Sequence, residues 1–281
     1  MSLPPPVLDH VVVDVRDRMD DAASRYRRLG FHLTERGHHT LGSINHLAIF
    51  DTNYLELLGF GADPSRIRAD IQRFPVGLNG LVIGTDDSSA VHAELERLGM
   101  AAQAPVEFSR AVQLADGSRR DAIFRVVRLP PDTLPNARAY FCHHFTRDLV
   151  WRDEWRDHPN GAVTIARIVR VAPDPAQAAA FFARMFGADA VRREGSSATV
   201  ALGGSRLVIM SPVELDREFG PAAPEADGRD DFMAAVTIRT RSLEQTARVL
   251  QKAGIEPVRL RPDHLLVRAA EAMNVTLEFV P

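Results

Sequence analysis

Four times along this chain, a run of aliphatic and β-branched residues gives way to a segment whose apolar positions recur every three or four residues. The first run, "LDHVVVDV" (8–15), predicts a strand buried on both faces. In "MDDAASRYRRLGF" (19–31), Ala22, Ala23, Tyr26 and Leu29 fall at helical spacing and Gly30 supplies a stop. "NHLAIF" (45–50) and "NYLELLGF" (53–60) predict two further strands. The second unit opens on "NGLVIGTDD" (79–87). Its helix, 88–100, takes Ser88 as N-cap and ends at Gly99, and its strands are "AIFRVVRL" and "ARAYFCHHFT". "AVTIARIVRV" (162–171) and "FMAAVTIRT" (232–240) open the third and fourth units, whose helices stop at Gly187 and Gly254. The strands that follow are "SATVALGG" and "SRLVIMSP" in the third unit, and "IEPVRLR", "HLLVRA" and "NVTLEFV" in the fourth. The pattern predicts an α+β fold of four βαβββ modules, two per domain. The break falls in the polar stretch 146–162, giving domains of 1–150 and 151–281, and "GPAAPEADGRDD" (220–231) reads as a loop between modules three and four.

Composition narrows the function classes. The chain has 281 residues, is 45% hydrophobic and 25% charged, and carries a formal net charge of -3. Its arginines are scattered among Asp and Glu, so neither nucleic acid nor an anionic membrane is an expected partner; a small molecule is. A single cysteine, Cys142, excludes an internal disulfide framework, and a cytoplasmic location is expected. No apolar run reaches the ~18 residues of a membrane span, and the start of the chain lacks the pattern of a signal peptide. There is no phosphate-binding glycine loop, nucleophile elbow or paired-cysteine zinc motif.

What remains is polar chemistry inside apolar strands. His10 interrupts the first strand, and Glu56 lies in "YLELLGF". A carboxylate in such a strand needs a partner or a metal. With four βαβββ units, "LDHVVVDVRD" opening the first, "GSINHLAIF" and "YLELLGF" closing it, and "HHFTRDLVWR" followed by "HPNGA", the chain resembles the glyoxalase-like domain proteins of the vicinal oxygen chelate superfamily. The resemblance covers nearly the whole chain. It implies that paired modules curl into two cup-shaped mixed-sheet domains, and that a cup holds a divalent metal (Fe, Mn, Zn, Ni or Co) on residues of the first and last strands. His10 and Glu56 match those positions, and the resemblance implies that Glu56 doubles as a catalytic base, as last-strand glutamates do in some relatives. The third ligand falls to His143 or His144. Neighbours on a strand face opposite ways, so only one of them enters the cup, and the register leaves open whether Cys142 or His143 stands opposite Glu56. Gly80 stands where a second first-strand histidine would be.

The resemblance implies a metal-dependent isomerase, lyase or dioxygenase acting on a small carbonyl- or hydroxyl-bearing molecule. The alternative is a metal-free protein that binds or sequesters a small molecule in the same cup. His39 and Asn45, near the mouth, are candidates for substrate contact, with turn capping as the plainer role. Trp151 and Arg152 are candidates for clamping a substrate, or for stapling the linker. The C-terminal half has no first-strand histidine, so it reads as a degenerate domain that packs, dimerises or closes the site. Its Glu278 reads as a salt-bridged or exposed residue, unless modules one and four share a cup.

Overall fold

The computed structural model describes residues 3–61 and 68–281, apart from the side chain of Asp70. The first module comprises β1 (Leu8–Arg16), α1 (Met19–Arg28), β2 (Gly37–His38), β3 (Ser43–Ile49) and β4 (Tyr54–Phe60). A one-turn helix, α2 (Ala69–Gln72), leads to the second, made of β5 (Gly77–Gly84), α3 (Ser88–Arg97), β6 (Val106–Gln113), β7 (Arg119–Arg128) and β8 (Arg138–His144). The third contains β9 (Ala162–Val171), α4 (Pro175–Phe186), β10 (Val191–Glu194), β11 (Ser197–Leu202) and β12 (Ser205–Met210). After α5 (Pro212–Phe219), the fourth consists of β13 (Phe232–Thr240), α6 (Leu243–Lys252), β14 (Leu265–Val267) and β15 (Thr276–Val280).

The helix-ending glycines all take positive φ, 85° at Gly30, 64° at Gly99, 91° at Gly187 and 71° at Gly254, a backbone that side-chain-bearing residues avoid. The cap of α3 is Asp87 rather than Ser88: its carboxylate accepts from the backbone N–H groups of Ser89 and Ala90, while the Ser88 hydroxyl meets His143. "IEPVRLR" contributes a single bridge, Val258 to Leu266, in place of a strand.

Modules one and two share an eight-stranded sheet of order β2-β3-β4-β1-β5-β8-β7-β6, and modules three and four a seven-stranded one of order β10-β11-β12-β9-β13-β15-β14. Buried on both faces, β1 lies mid-sheet, parallel to β4 and antiparallel to β5. Alternation sorts its residues. Val11, Val13 and Val15 join a core cluster that also holds residues of α1, α3, α4 and α6 and of the second sheet, so one continuous core runs between the two halves. Val12 faces the concave side with Leu58, Val82 and Phe124.

The two concave faces end differently. In the first sheet the outermost strands meet. His39 bridges Arg110, and the Thr40 backbone N–H donates to the Ser109 carbonyl at 2.9 Å, so the sheet closes on itself around a hollow. In the second, the hollow is filled. Leu215 and Phe219 of α5 pack onto Val169, Val171 and Phe232. The start of α5 carries a capping box, Ser211 with Glu214, and Pro212 in the first turn.

Asn53, in the turn between β3 and β4, ties the halves together. Its side-chain oxygen accepts from the Ile165 N–H (2.9 Å) and its amide donates to the Ile165 carbonyl (3.2 Å), imitating one rung of a β-ladder. Asn53→Ala leaves a buried Ile165 N–H without its acceptor, at an expected cost of about 2 kcal/mol. The check is the urea midpoint, which should fall while the slope of the transition is unchanged.

Candidate active site in the closed cup

The first hollow is a cavity of about 380 Å³. Its walls are mainly apolar, with Leu47, Leu58, Phe108, Phe124 and Val126 among them, and a line of polar groups crosses its floor. His10 and Glu56 are brought together from β1 and β4, with His10 Nε2 3.6 Å from Glu56 Oε2. The other Glu56 oxygen, Oε1, accepts from the Asn45 amide at 2.7 Å. The same amide nitrogen lies 3.3 Å from His39 Nε2, and His39 Nδ1 is 2.8 Å from the Ser43 hydroxyl. Desolvation, reinforced by the charges of Arg110 and Arg68, pushes the His39 pKa down to about 3, so its imidazole is neutral. The Asn45 amide therefore donates to both Glu56 and His39, and His39 donates from Nδ1 to Ser43.

A second set of groups stands behind His10. One residue of β1, Asp9, is unmatched in the pairing with β5, because Leu8 faces Ile83 while His10 faces Val82. This bulge turns the Asp9 carboxylate toward its neighbour. Its Oδ1 accepts from His10 Nδ1 at 2.6 Å and from His144 Nε2 at 3.0 Å. Burial alone would raise the Asp9 pKa, but the two imidazoles prevail and hold it well below the usual carboxylate range. With Nδ1–H given to an ionised Asp9, His10 presents the lone pair of Nε2 to the cavity, where the Tyr140 hydroxyl donates to it at 3.3 Å. Burial keeps the Tyr140 and Tyr54 phenols and the Cys142 thiol protonated, and the Tyr54 ring stacks on His10 at 4.2 Å.

The remaining sequence candidates separate. On β8, Tyr140, Cys142 and His144 share the concave face, whereas His143 turns outward to Ser88 of α3 and lies outside the cup. His10 pairs with Tyr54 on β4 and Gly80 with Arg138 on β8, so the β8 counterpart of Glu56 is Tyr140, not Cys142 or His143. His144 joins Asp9 rather than Glu56. Asp9, Cys142 and His144 place three potential ligand atoms within 4.8 Å of one another, the group of that kind found among the described residues. Trp151 packs edge-on against His144 and Tyr54 with the Arg147 guanidinium 3.6 Å above it, and Arg152 pairs with Glu154. Neither Trp151 nor Arg152 lines the cavity: Leu149, Val150 and Trp151 pack into the concave-face cluster beside Tyr54 and Cys142, with Tyr54 and His144 between Trp151 and the hollow. Glu278 lies in the second sheet, held by Arg167 (2.7 Å), Arg261 (2.9 Å) and His264 (2.6 Å), as a salt-bridged residue.

Two groups escaped the sequence. Asp9 was hidden by the bulge, since strict alternation turns it away from His10. Arg110 was hidden in β6, a strand of mixed polarity whose charged residues read as surface. It lines the cavity at 3% exposure.

A donor set for a divalent ion is partly present. His10 Nε2 and Glu56 Oε2 have the proximity of two ligands of one ion, and Asp9 supplies the carboxylate partner that metal-bound histidines usually have on their other nitrogen. The third histidine is missing from that shell.

Residues 8–186, well over half the chain, match the glyoxalase-like domain model, and residues 164–271 match that of the glyoxalase/bleomycin resistance protein/dioxygenase superfamily. Comparison with curated sequences finds no match. A hypothetical protein from Staphylococcus aureus superposes with a TM-score of 0.68 at 12% identity, over 98% of this chain and 99% of that one. A triple mutant of 4-hydroxymandelate synthase from Streptomyces coelicolor superposes with a TM-score of 0.61 at 14% identity, over 99% and 93%. A xylose isomerase-like TIM barrel/4-hydroxyphenylpyruvate dioxygenase fusion protein gives 0.63 at 12%, with this chain spanning 50% of its length. At such identities the likeness is one of fold. No helix among the described residues is long and apolar enough to cross a membrane.

Proposed function

Because this chain belongs to the glyoxalase-like domain family, we propose that its closed cup is the active site of an enzyme acting on a small carbonyl- or hydroxyl-bearing molecule, of the isomerase, lyase or dioxygenase type. One observation carries the reading. Glu56 and His10 face each other at 3.6 Å in an otherwise apolar cavity, each fixed from behind by a dedicated partner. Structural carboxylates are consumed by ion pairs, as Glu278 is, whereas Glu56 keeps Oε2 open to the cavity.

Glu56 acts as the base. Asn45 holds Oε1, so Oε2 is the atom that takes a proton from a carbon or hydroxyl of the bound molecule. Asp9 fixes the His10 tautomer, and Tyr140 offers a protonated hydroxyl to an oxygen that gains charge. The apolar walls exclude water and strengthen each of these interactions. His10 Nε2 and Glu56 Oε2 would hold a divalent ion, a use of Oε2 that is alternative to its role as free base, and the ion would supply Lewis-acid polarisation of a substrate oxygen when bound.

Elemental analysis of protein purified without chelator, alongside His10→Ala and Glu56→Gln, tests the metal. The expected result is a divalent metal in the wild type, with affinity reduced roughly 100-fold or more in each variant. A wild-type protein that takes up no divalent ion on reconstitution, or variants that retain it fully, would remove the metal and leave the cup as a metal-free binding pocket.

A further inference from the structure

Among the described residues that line the cavity, Arg110 is a charge without a contact partner for its Nε and Nη2 groups. Arg138 donates to Asn79, Arg73 approaches Asp132, and Glu56 is held by Asn45. The Arg110 side chain is buried, its Nε and Nη2 groups are closed to solvent without a hydrogen-bond partner, and among the described residues no carboxylate makes a contact ion pair with it, Glu56 acting on it only as a charge across the cavity. A guanidinium cannot escape this cost by losing its proton. A buried charge with no contact partner is among the most destabilising features a fold can carry, and it persists where something outside the chain pairs with it. The backbone is shaped to admit it. Gly37 lies so close that a Cβ there would stand 2.9 Å from Arg110 Cδ and 2.2 Å from Asn45 Oδ1. Asn45 Oδ1 is likewise buried without a partner.

Resting on the reading of the cup as the ligand site, we infer that its substrate carries a carboxylate, received by the forked N–H groups of Arg110. The guanidinium presents parallel donors that match the two oxygens of a carboxylate. Around it the walls are apolar and aromatic. Phe108 and Phe124 stack at 5.3 Å, and His39, neutral, closes edge-on against Phe108 at 5.2 Å. The ligand class is thus a small monocarboxylic acid with an apolar or aromatic body. Arg110 and Glu56 line the same space, so an acid that fills it meets both.

Binding, not turnover, tests this. A panel of aryl- and alkyl-monocarboxylates, among them phenylacetate and 4-phenylbutyrate, is compared with the corresponding neutral amides by calorimetry and thermal shift. The full-length wild type, Arg110→Met and Glu56→Gln are used. Acids should bind the wild type at least roughly tenfold more tightly than their amides, and Arg110→Met should erase that preference. Ligand-free Arg110→Met should melt above the wild type, because the variant removes an unpaired buried charge; a purely structural arginine would give the reverse. Acid preference retained in Glu56→Gln separates the anion site from the base, so that the proposed chemistry can fail while this inference stands. No preference for acids in any pair, preference surviving in Arg110→Met, or a lower melting temperature of that variant each overturns it.

Discussion

Gly80→Ala should lower stability by about 3 kcal/mol, at the upper end of what overpacking costs, and its melting temperature by roughly 6–12 °C. Gly80 lies directly across the ladder from Val12 in the centre of the first sheet. A Cβ added there would stand 2.4 Å from Val12 Cβ and 2.6 Å from its Cγ2. Val12 is fully buried and its strand is fixed by ladders on both sides, so rotating the side chain relieves little. Gly80→His should be worse, which bears on chemistry as well as stability. Gly80 is the position in the second module that corresponds to His10, and no ligating side chain fits there without separating β1 from β5. Thermal melts of Gly80→Ala, Val12→Ala and the double variant form the check. The double variant should be more stable than the sum of the two losses predicts, and strict additivity would refute the clash.

The second large effect is acid lability. His39 is held at a pKa of about 3 by desolvation, and His158 at about 4, also chiefly by desolvation. Both lie below the ordinary histidine value of 6.5. The unfolded chain therefore takes up protons first as pH falls. The stability these neutral imidazoles contribute is complete above about 6.5 and is lost as pH drops toward 4 and 3. Asp14 works the other way. Burial pushes its pKa up to about 6, so the folded state gains as pH falls from there toward the ordinary value of 3.8. At 1.36 kcal/mol per pKa unit, the balance between pH 7 and 4.5 is a loss on the order of 3 kcal/mol. Below that, the low pKa of Asp9 adds to the loss. His158 is a clean probe because it lies outside the cup. Its Nδ1 accepts from the His32 N–H at 3.0 Å and its Nε2 donates to the Ile49 carbonyl at 2.8 Å. Urea midpoints across this range should fall steadily in the wild type, and His158→Gln should remove on the order of 2 kcal/mol of the slope. A profile that is flat, or that rises toward pH 4.5, would contradict the assignment.

Much of the architecture could be read from periodicity because the strands are simple. Val11, Val13 and Val15 alternate with His10 and Val12, and Leu55 and Leu57 with Glu56, so period two alone separates the two faces. His39 and Asn45, which also line the cavity, were legible through the family resemblance of "GSIN" and its surroundings and not through alternation. The rule failed where the backbone departs from period two. At the Asp9 bulge one extra residue rotates a carboxylate under two imidazoles, and nothing in "LDH" marks the break. His143 and His144 were separable only through register, which depends on how β8 pairs with β5 and β7. Arg110 was illegible for a different reason: whether an arginine on a mixed strand faces water or a cavity depends on a strand far away in sequence closing over it. By contrast, α5 was marked by Ser211, Pro212 and Glu214, a sufficient helix-start signal within what read as the end of a strand.

The meeting of β2 with β6 also governs how this protein behaves in company. An open sheet presents rows of unpaired N–H and C=O groups to which another chain can add a strand. In the first sheet the two margins satisfy each other through the His39–Arg110 bridge and the Thr40–Ser109 hydrogen bond. In the second, the outer strand β14 is covered by the Val258–Leu266 bridge, while β10 at the other margin reads Val-Arg-Arg-Glu, a charged border that discourages strand addition. The half that carries the cavity is thereby insulated from templated aggregation by closure, and the other half by a covered margin on one side and a charged one on the other.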